Sequence, residues 1–319
     1  MAQKKAEFES RPMDEVKREL LKRAKEQRNP FLYTIYEEVA PVIDQLRSVD
    51  REDWARAFIA LAAPHEKRAA SAEADGDHAT AMRHYLIAYD YYHVARYPAP
   101  NSPGKLAAYR KSQEDFLKAA RYFDPALERV EMLFGARPGE SGVSVGLLRK
   151  PKGVEKPPVV VIWGGIDAFK EERPTEPYLG AGLATLCIDM PGVADAPLAG
   201  SEDAEPLWDA VFDWIDQRPD LDSKRIGIHG GSTGGYWATK VAHTHRERIR
   251  AAVNQGGPAH YAFTRDWIVK AQRGEYPFEL AETLACAFDR TTAEEWVQHS
   301  PRLSLLDQGI LDRPCAPLL

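Results

Sequence analysis

The sequence contains no long apolar run and little cysteine. No stretch approaches the roughly 18 apolar residues of a transmembrane helix, and the first ten residues have no apolar signal-peptide core. The three cysteines, Cys187, Cys286 and Cys315, are odd in number and lack metal-ligand spacing. These absences predict a cytoplasmic protein in a reducing compartment, without a membrane span, a disulfide framework or a bound metal.

An excess of positive charge is also missing. The chain has 42 Lys and Arg against 48 Asp and Glu, a formal net charge of -6 in 319 residues. Nucleic-acid binders and proteins that dock on anionic membranes usually carry basic clusters. The composition therefore argues against both a nucleic-acid partner and a membrane partner.

Two sequence patterns divide the chain near residue 125. Residues 1–125 show apolar residues at helical spacing, which predicts an all-helical N-terminal domain. Tyr85, Tyr89 and Tyr92 fall on one face of a long helix and are either core or part of a binding surface. The helices are predicted at 14–24, 31–46, 53–63, a segment that ends near Pro98, and 105–122.

Residues 126–319 alternate between short apolar runs and helical segments. Runs of this kind are typical of strands buried on both faces of a parallel sheet, and the alternation predicts a doubly wound α/β sheet with right-handed crossovers. Ligand sites in such sheets form beyond the carboxyl ends of the strands. The predicted strands are a hairpin at 129–134 and 143–148, followed by 159–163, 185–189, 225–228 and 251–254.

The segment Gly230-Gly231-Ser232-Thr233-Gly234 matches G-x-S-x-G between a predicted strand and a predicted helix. This is the pattern of the nucleophile elbow, in which a strained turn exposes a serine hydroxyl. The helix that follows directs free N–H groups and its positive dipole end toward a developing oxyanion. The alternative is an ordinary glycine-rich turn; the strand and helix on either side favour the elbow, with Ser232 as the nucleophile.

A serine nucleophile needs two hydrogen-bond donors aimed at the oxyanion. The backbone N–H of Thr233, directly after the serine, is one candidate. The second is the N–H of Gly165 or Ile166, in the turn after the strand 159–163. The alternative is that this turn merely joins a strand to the next helix.

Three further side chains are candidates for the same edge of the sheet. Asp189 ends a strand and either contacts substrate or hydrogen-bonds the turn backbone. His260 follows the strand 251–254 and is the one candidate base in the chain, with a possible second role in substrate binding. Asp266 lies six residues later.

Several segments together resemble one family of α/β-hydrolases. That family includes the fungal heptaketide pigment hydrolases and the bacterial 2,6-dihydroxypseudooxynicotine hydrolase, with the FrsA-like esterases as more distant relatives. The resemblance covers nearly the whole chain, including the helical N-terminal domain, which corresponds to the lid. The matching segments are GGIDAFKEE at 164–172, DMPG at 189–192, GGSTGG at 230–235, QGGPAH at 255–260, YPFEL at 276–280 and LSLLDQG at 303–309.

The resemblance implies a serine hydrolase that acts on a small molecule without a cofactor. Some members cleave carbon–carbon bonds in β-dicarbonyl or aryl-ketone compounds, and others are carboxylesterases. In the carbon–carbon cleavers an acidic residue assists, and Asp266 occupies the matching place, where the family often has Glu. A rival reading of another class is a catalytically inactive binding protein.

The resemblance also implies that family members continue beyond Leu319 with further strands that carry the triad Asp and His. We therefore expect a C-terminally truncated chain in which the triad Asp and His are not present and Ser232 has no evident base. We also expect the strand 251–254 to form an unpaired apolar edge, which favours association and a possible homodimer.

Overall fold

The structure is a computed structural model that describes Phe8 and residues 11–135, 142–274 and 276–319. Most of the N-terminal segment searched for a signal peptide, and most of the turn predicted between the first two strands, lie outside the described residues. The chain packs as two compact units. One comprises Met1–Asp124 with Val269–Thr283, and the other comprises Pro125–Ile268 with Leu284–Leu319. The sequence-based boundary at 125/126 lies next to the first crossing, but the insertion of Val269–Thr283 into the helical unit was not foreseen.

Two helices of the helical unit begin at aspartate N-caps. Asp50 accepts hydrogen bonds from the Glu52 and Asp53 N–H groups, and Asp77 accepts one from Thr80. Such caps satisfy backbone donors that a helix start leaves free, at about 1 kcal/mol each. The helices are α1 Met13–Lys25, α2 Tyr36–Gln45, α3 Arg51–Ala74, α4 His78–Arg96 and α5 Pro103–Ala120.

Two predicted helices differ in length from the observed ones. The helix predicted at 31–46 begins only at Tyr36, because Phe31 enters the core from a turn closed by its own N–H and the Arg28 carbonyl. The helix predicted at 53–63 continues through Pro64 to Ala74. Proline removes a single hydrogen bond from a helix interior, and the buried face on both sides of Pro64 outweighs that loss.

The tyrosine face of α4 belongs to the core of the helical unit. Tyr85, Tyr89 and Tyr92 are all buried. Two of their hydroxyls donate to carboxylates within the unit, Tyr85 to Glu73 at 3.1 Å and Tyr92 to Glu66 at 2.7 Å. Of the two alternatives for this stripe, packing is the one that the contacts describe.

The second unit is built on a six-stranded sheet of order β1-β2-β4-β3-β5-β6. The β1–β2 and β2–β4 pairs are antiparallel, and the β4–β3, β3–β5 and β5–β6 pairs are parallel. The α/β expectation is confirmed, with an antiparallel hairpin at one edge. The strands are β1 Leu127–Leu133, β2 Val143–Arg149, β3 Pro158–Trp163, β4 Ala184–Ile188, β5 Asp222–Gly231 and β6 Ala251–Gln255.

Helices that lie between the strands in sequence pack against the sheet. Trp208 contacts both Trp163 of β3 and Trp237, in tilted ring pairs with centroids 5.2 and 5.1 Å apart. Among the described residues, no helix is both long and apolar enough to cross a bilayer. The helices between the strands are α6 Glu176–Gly180, α7 Pro206–Asp216 and α8 Thr233–Thr244. Three helices follow β6, and residues 269–283 of the first two belong to the helical unit: α9 Arg265–Gly274, α10 Leu280–Ala287 and α11 Ala293–His299.

The expectation that β6 would form an unpaired edge is wrong. The C-terminal residues run parallel to β6, with a bridge between Ala252 and Leu318. The N–H groups of Ala252 and Asn254 donate to the carbonyls of Pro317 and Leu319, each at 2.8 Å. This pairing uses the outward-facing backbone groups of β6. An unpaired β6 edge was the physical reason for predicting self-association, and the structure does not have that edge.

Candidate active site

Ser232 occupies a sharp turn between β5 and α8. Its backbone has φ 52° and ψ -130°, a conformation that costs a non-glycine residue about 1–3 kcal/mol. The Ser232 N–H donates to the Gln255 carbonyl at 2.9 Å, and the Ser232 carbonyl accepts from Gly235 at 2.8 Å. The strained turn exposes Ser232 at the carboxyl end of β5, where α8 begins. This is the backbone geometry of a nucleophile elbow.

The glycines around Ser232 are required by close packing. A Cβ atom at Gly230 would lie 2.2 Å from the Gly234 carbonyl oxygen, and one at Gly234 would lie 2.1 Å from the Gly164 carbonyl oxygen. A Cβ at Gly235 would meet the Asn254 side chain at 2.1 Å. These distances are far inside van der Waals contact, so the turn forms only because these positions lack side chains.

The turn after β3 lies directly against the serine. A Cβ atom at Gly165 would be 3.0 Å from the Ser232 Cβ, 3.2 Å from its Oγ and 3.4 Å from the Thr233 backbone nitrogen. The structure thus brings together Gly165, Ser232 and Thr233, as the sequence predicts. Ile166, the fourth predicted residue, follows Gly165 in the chain and is buried. The backbone at Gly165 and the Thr233 N–H border one small space next to the serine oxygen.

The Ser232 hydroxyl has no side-chain hydrogen-bond partner among the described residues. His229, on the preceding strand, is tied to Tyr178 at 2.5 Å and to the Gln255 side chain at 2.9 Å. Burial lowers the pKa of His229, which keeps its imidazole neutral near pH 7. Within the described part of the chain, therefore, no base is hydrogen-bonded to the Ser232 hydroxyl.

His260 and Asp266 follow β6 but are not joined to Ser232 by a hydrogen bond. The Nδ1 atom of His260 lies 2.7 Å from the Ser304 hydroxyl and 3.8 Å from an Asp307 carboxylate oxygen, and its side chain is about half exposed. Asp266 is exposed in the first turn of α9. Their predicted roles as base, substrate ligand and assisting acid stay predictions.

Asp189 is buried and hydrogen-bonded to Lys170, five residues after Gly165, and to the backbone of its own loop. Its Oδ1 accepts from the Lys170 backbone N–H at 2.9 Å, and its Oδ2 accepts from the Lys170 ammonium at 2.8 Å and from the Asp195 N–H at 3.3 Å. Burial raises the pKa of Asp189 to about 6, against the opposing effect of the Lys170 charge. Of the two alternatives for Asp189, hydrogen bonding to the turn backbone is the one observed.

The sequence alone assigned no role to Lys170, which appeared only within the matching segment GGIDAFKEE at 164–172. Its ammonium is almost fully buried and lies 2.6 Å from Asp195, 2.8 Å from Asp189 and 3.0 Å from Glu171. A buried charge is retained only when it is paired and hydrogen-bonded. The cluster fastens the segment that follows Gly165 to the end of β4. Among the described residues, no group of three His, Cys, Asp or Glu side chains is arranged to hold a metal ion.

The strand order, the positive-φ serine and the glycine-packed turn together define an α/β-hydrolase fold with a serine elbow. A profile of the FrsA-like esterases matches residues 42–319. The chain belongs to the FrsA-like esterase family.

Two curated proteins similar to this chain are named α/β-hydrolases. The α/β-hydrolase ucsC of Acremonium sp. is 28% identical over 244 residues, which cover 68% of this chain and 49% of that protein. The α/β-hydrolase gkaG of Penicillium citrinum is 30% identical over 238 residues, which cover 68% and 54%. The chain thus spans about half the length of the curated relatives it matches.

A solved structure shares the fold. The crystal structure of a 2,6-dihydroxy-pseudo-oxynicotine hydrolase superimposes with a TM-score of 0.71 at 22% identity and covers 89% of this chain and 77% of that one. At this level of identity the similarity concerns the fold, and the chemistry has to be argued from the residues around Ser232.

Proposed function

We propose that the chain carries the nucleophile and oxyanion hole of a serine hydrolase that acts on an activated carbonyl. One observation carries the proposal: the backbone at Gly165 and the Thr233 nitrogen border the same space beside the Ser232 oxygen. Two N–H donors at that place stabilise the negative charge that develops when a serine attacks a carbonyl. The N-terminus of α8 adds its dipole to the same point.

The proposed reaction proceeds through an acyl-enzyme. Ser232 Oγ bonds to the carbonyl carbon as its proton passes to water, and the carbonyl oxygen becomes an oxyanion held by the Thr233 and Gly165 or Ile166 N–H groups. The adduct then expels its leaving group, and water releases the acyl group from Ser232. Because no base is hydrogen-bonded to Ser232 among the described residues, we expect removal of the serine proton to limit the rate.

The leaving group separates the two activities that fit this chemistry. An ester expels an alkoxide, whereas a β-dicarbonyl or aryl ketone expels an enolate and breaks a carbon–carbon bond. An enolate needs a proton at carbon, which is the role proposed for Asp266. Asp266→Asn is expected to lower β-diketone cleavage and to leave turnover of p-nitrophenyl acetate unchanged, since p-nitrophenolate leaves without protonation.

The test of the proposed function is steady-state turnover of p-nitrophenyl acetate and of a β-diketone by the purified chain. Ser232→Ala is compared with Ser223→Ala, which removes a hydroxyl from the opposite end of the same strand. We expect Ser232→Ala to abolish turnover of every substrate used and Ser223→Ala to retain it. Equal turnover by the two variants would contradict the nucleophile, and turnover of the ester alone would select the carboxylesterase.

A second candidate is a non-catalytic binding protein. The observation in its favour is the Ser232 hydroxyl, which has no hydrogen-bonded base among the described residues. A wild-type chain that turns over neither substrate, yet unfolds cooperatively, is the result that this candidate predicts.

A further inference from the structure

We propose that Trp163 is a positioning residue that sets the spacing between the two arms of the oxyanion hole, an inference that rests on the proposed function. The two arms are the backbone at Thr233, where α8 begins, and the backbone at Gly165, in the turn after β3. Trp163 is the last residue of β3, and two residues further along the chain is Gly165. Its indole is fully buried. Neither the elbow motif nor the glycine-rich turn assigns this side chain a role.

The indole fills a notch that the elbow glycines create. A Cβ atom at Gly230 would lie 2.8 Å from the Trp163 Nε1, and one at Gly234 would lie 2.7 Å from the Trp163 Cδ1. The two glycines that flank Ser232 in the G-x-S-x-G pattern are therefore needed to admit this ring, as well as to form the turn. The ring lies beneath the serine turn and limits its movement.

One hydrogen bond joins the two arms. The Trp163 Nε1–H donates to the Gly234 carbonyl at 2.8 Å, in a buried environment. Gly234 lies in the first turn of α8, next to Thr233, whose N–H is the proposed first donor. Because Trp163 leads directly into the turn of Gly165, the bond ties the strand of the second donor to the helix of the first. A shift between these elements would move the two donors apart.

The neighbouring tryptophans supply matched controls. The Trp208 ring contacts the Trp163 ring, and the Trp237 ring contacts Trp208; both side chains are fully buried, but their indole N–H groups have no hydrogen-bond partner among the described residues. Trp208→Phe therefore removes a comparable volume from the same aromatic cluster without removing a hydrogen bond. The difference between Trp163→Phe and Trp208→Phe isolates the contribution of the Trp163 N–H.

The experiment measures two rates for each variant: the second-order rate of phosphonylation of Ser232 by a fluorophosphonate, and kcat and KM for p-nitrophenyl acetate. Misplacing catalytic groups by about 1 Å costs on the order of 100-fold, so for Trp163→Phe we expect roughly 10- to 100-fold losses in phosphonylation rate and kcat. KM should stay within about twofold, because the acyl group is bound before the oxyanion forms. Trp208→Phe should retain both rates.

A second replacement at position 163 separates the loss of the hydrogen bond from any misfolding of Trp163→Phe. Site-specific incorporation of β-(3-benzothienyl)alanine at position 163 keeps the fused ring and replaces the N–H by sulfur, which cannot donate. It should reproduce the loss seen in Trp163→Phe with an unchanged melting temperature. Wild-type rates in the benzothienyl protein, or equal rates in Trp163→Phe and Trp208→Phe, would overturn the positioning role. A wild-type chain that is not phosphonylated at Ser232 would overturn the proposed function, and this inference with it.

Discussion

The two sides of Ser232 are built very differently. On the side of β3, a Cβ at Gly165 would lie within 3.2 Å of the serine oxygen, and the following segment is anchored through Lys170 to Asp189 at 2.8 Å. On the side of β6, His260 is the one base predicted from the sequence. Its side chain is about half exposed and hydrogen-bonded to the Ser304 hydroxyl. The side of β3 is held by buried contacts, whereas the side of β6 offers the Ser232 hydroxyl no hydrogen-bonded side chain among the described residues.

The difference shows which part of a serine site is encoded locally. The turn at Ser232 and the turn after β3 meet because glycines at two strand ends permit contact, and these glycines lie within about seventy residues of sequence, between Gly164 and Gly235; the end of β6 adds Asn254 and Gln255. A general base has no such local signature, because it reaches the serine through tertiary structure alone.

The largest effect is expected from Lys170→Met, which leaves three carboxylates in the buried cluster without their ammonium. Breaking a buried ion pair from one side costs about 3–5 kcal/mol of unfolding free energy. The control is Lys150→Met, which removes a partly exposed pair with Asp220 and should cost about 0–1 kcal/mol. Urea unfolding measures both. Equal stabilities would show that the anchoring of the β3 side is unimportant.

Gly165→Ala tests contact at the oxyanion turn. The new methyl group would lie 3.2 Å from Ser232 Oγ, in the space proposed for the oxyanion. We expect at least about a 100-fold loss of fluorophosphonate labelling, comparable to removal of an oxyanion donor. Gly180→Ala is the control, because its Cβ would have no neighbour within 4 Å. Labelling of Gly165→Ala at the wild-type rate would refute the assignment of this turn.

His260→Ala tests the other side. If His260 is not the base, phosphonylation of Ser232 should change little, in contrast to the roughly 10²- to 10⁴-fold loss that follows removal of a general base. The rate is measured as for Gly165→Ala. A loss of that size, with an unchanged melting temperature, would assign the base to His260 and remove the contrast between the two sides.

The smallest effect concerns pH. Burial lowers the pKa of His229 below its unfolded value, so the folded state binds a proton less readily than the unfolded state. The contribution of His229 to stability is therefore full above about pH 6.5 and is lost as the pH falls through the folded pKa. His229→Gln, which stays neutral, should show a flatter melting temperature between pH 7 and 5. An unaltered pH dependence would exclude this residue as its source.

The sequence predicted the order of the strands, the helical N-terminal unit and the strand-to-helix turn at Ser232, because these depend on local patterning. β5 was placed only at 225–228, whereas it extends over Asp222–Gly231, since its polar first half carries no strand signal. The membership of Val269–Thr283 in the helical unit and the pairing of Leu318 with Ala252 depend on contacts distant in sequence. The periodicity of apolar residues along the sequence does not predict such long-range contacts.

The same limit applies within the site. Ser232, Thr233 and Gly165 were predicted because motif and strand-end arguments apply to them. The burial of Lys170 among three carboxylates, and the hydrogen bond from Trp163 to Gly234, are properties of packing. A tryptophan directly before the Gly164-Gly165 pair was a visible signal, but sequence alone gives it no partner.

The most direct test of the central claim is intact mass spectrometry after reaction with a fluorophosphonate. The serine oxygen bonds to phosphorus as fluoride leaves and the hydroxyl proton passes to solvent, so each modified molecule carries one phosphonyl group. We predict a single adduct, mapped by peptide sequencing to Ser232 and absent from Ser232→Ala. An unmodified wild-type chain, or an adduct that persists in Ser232→Ala, would contradict the account.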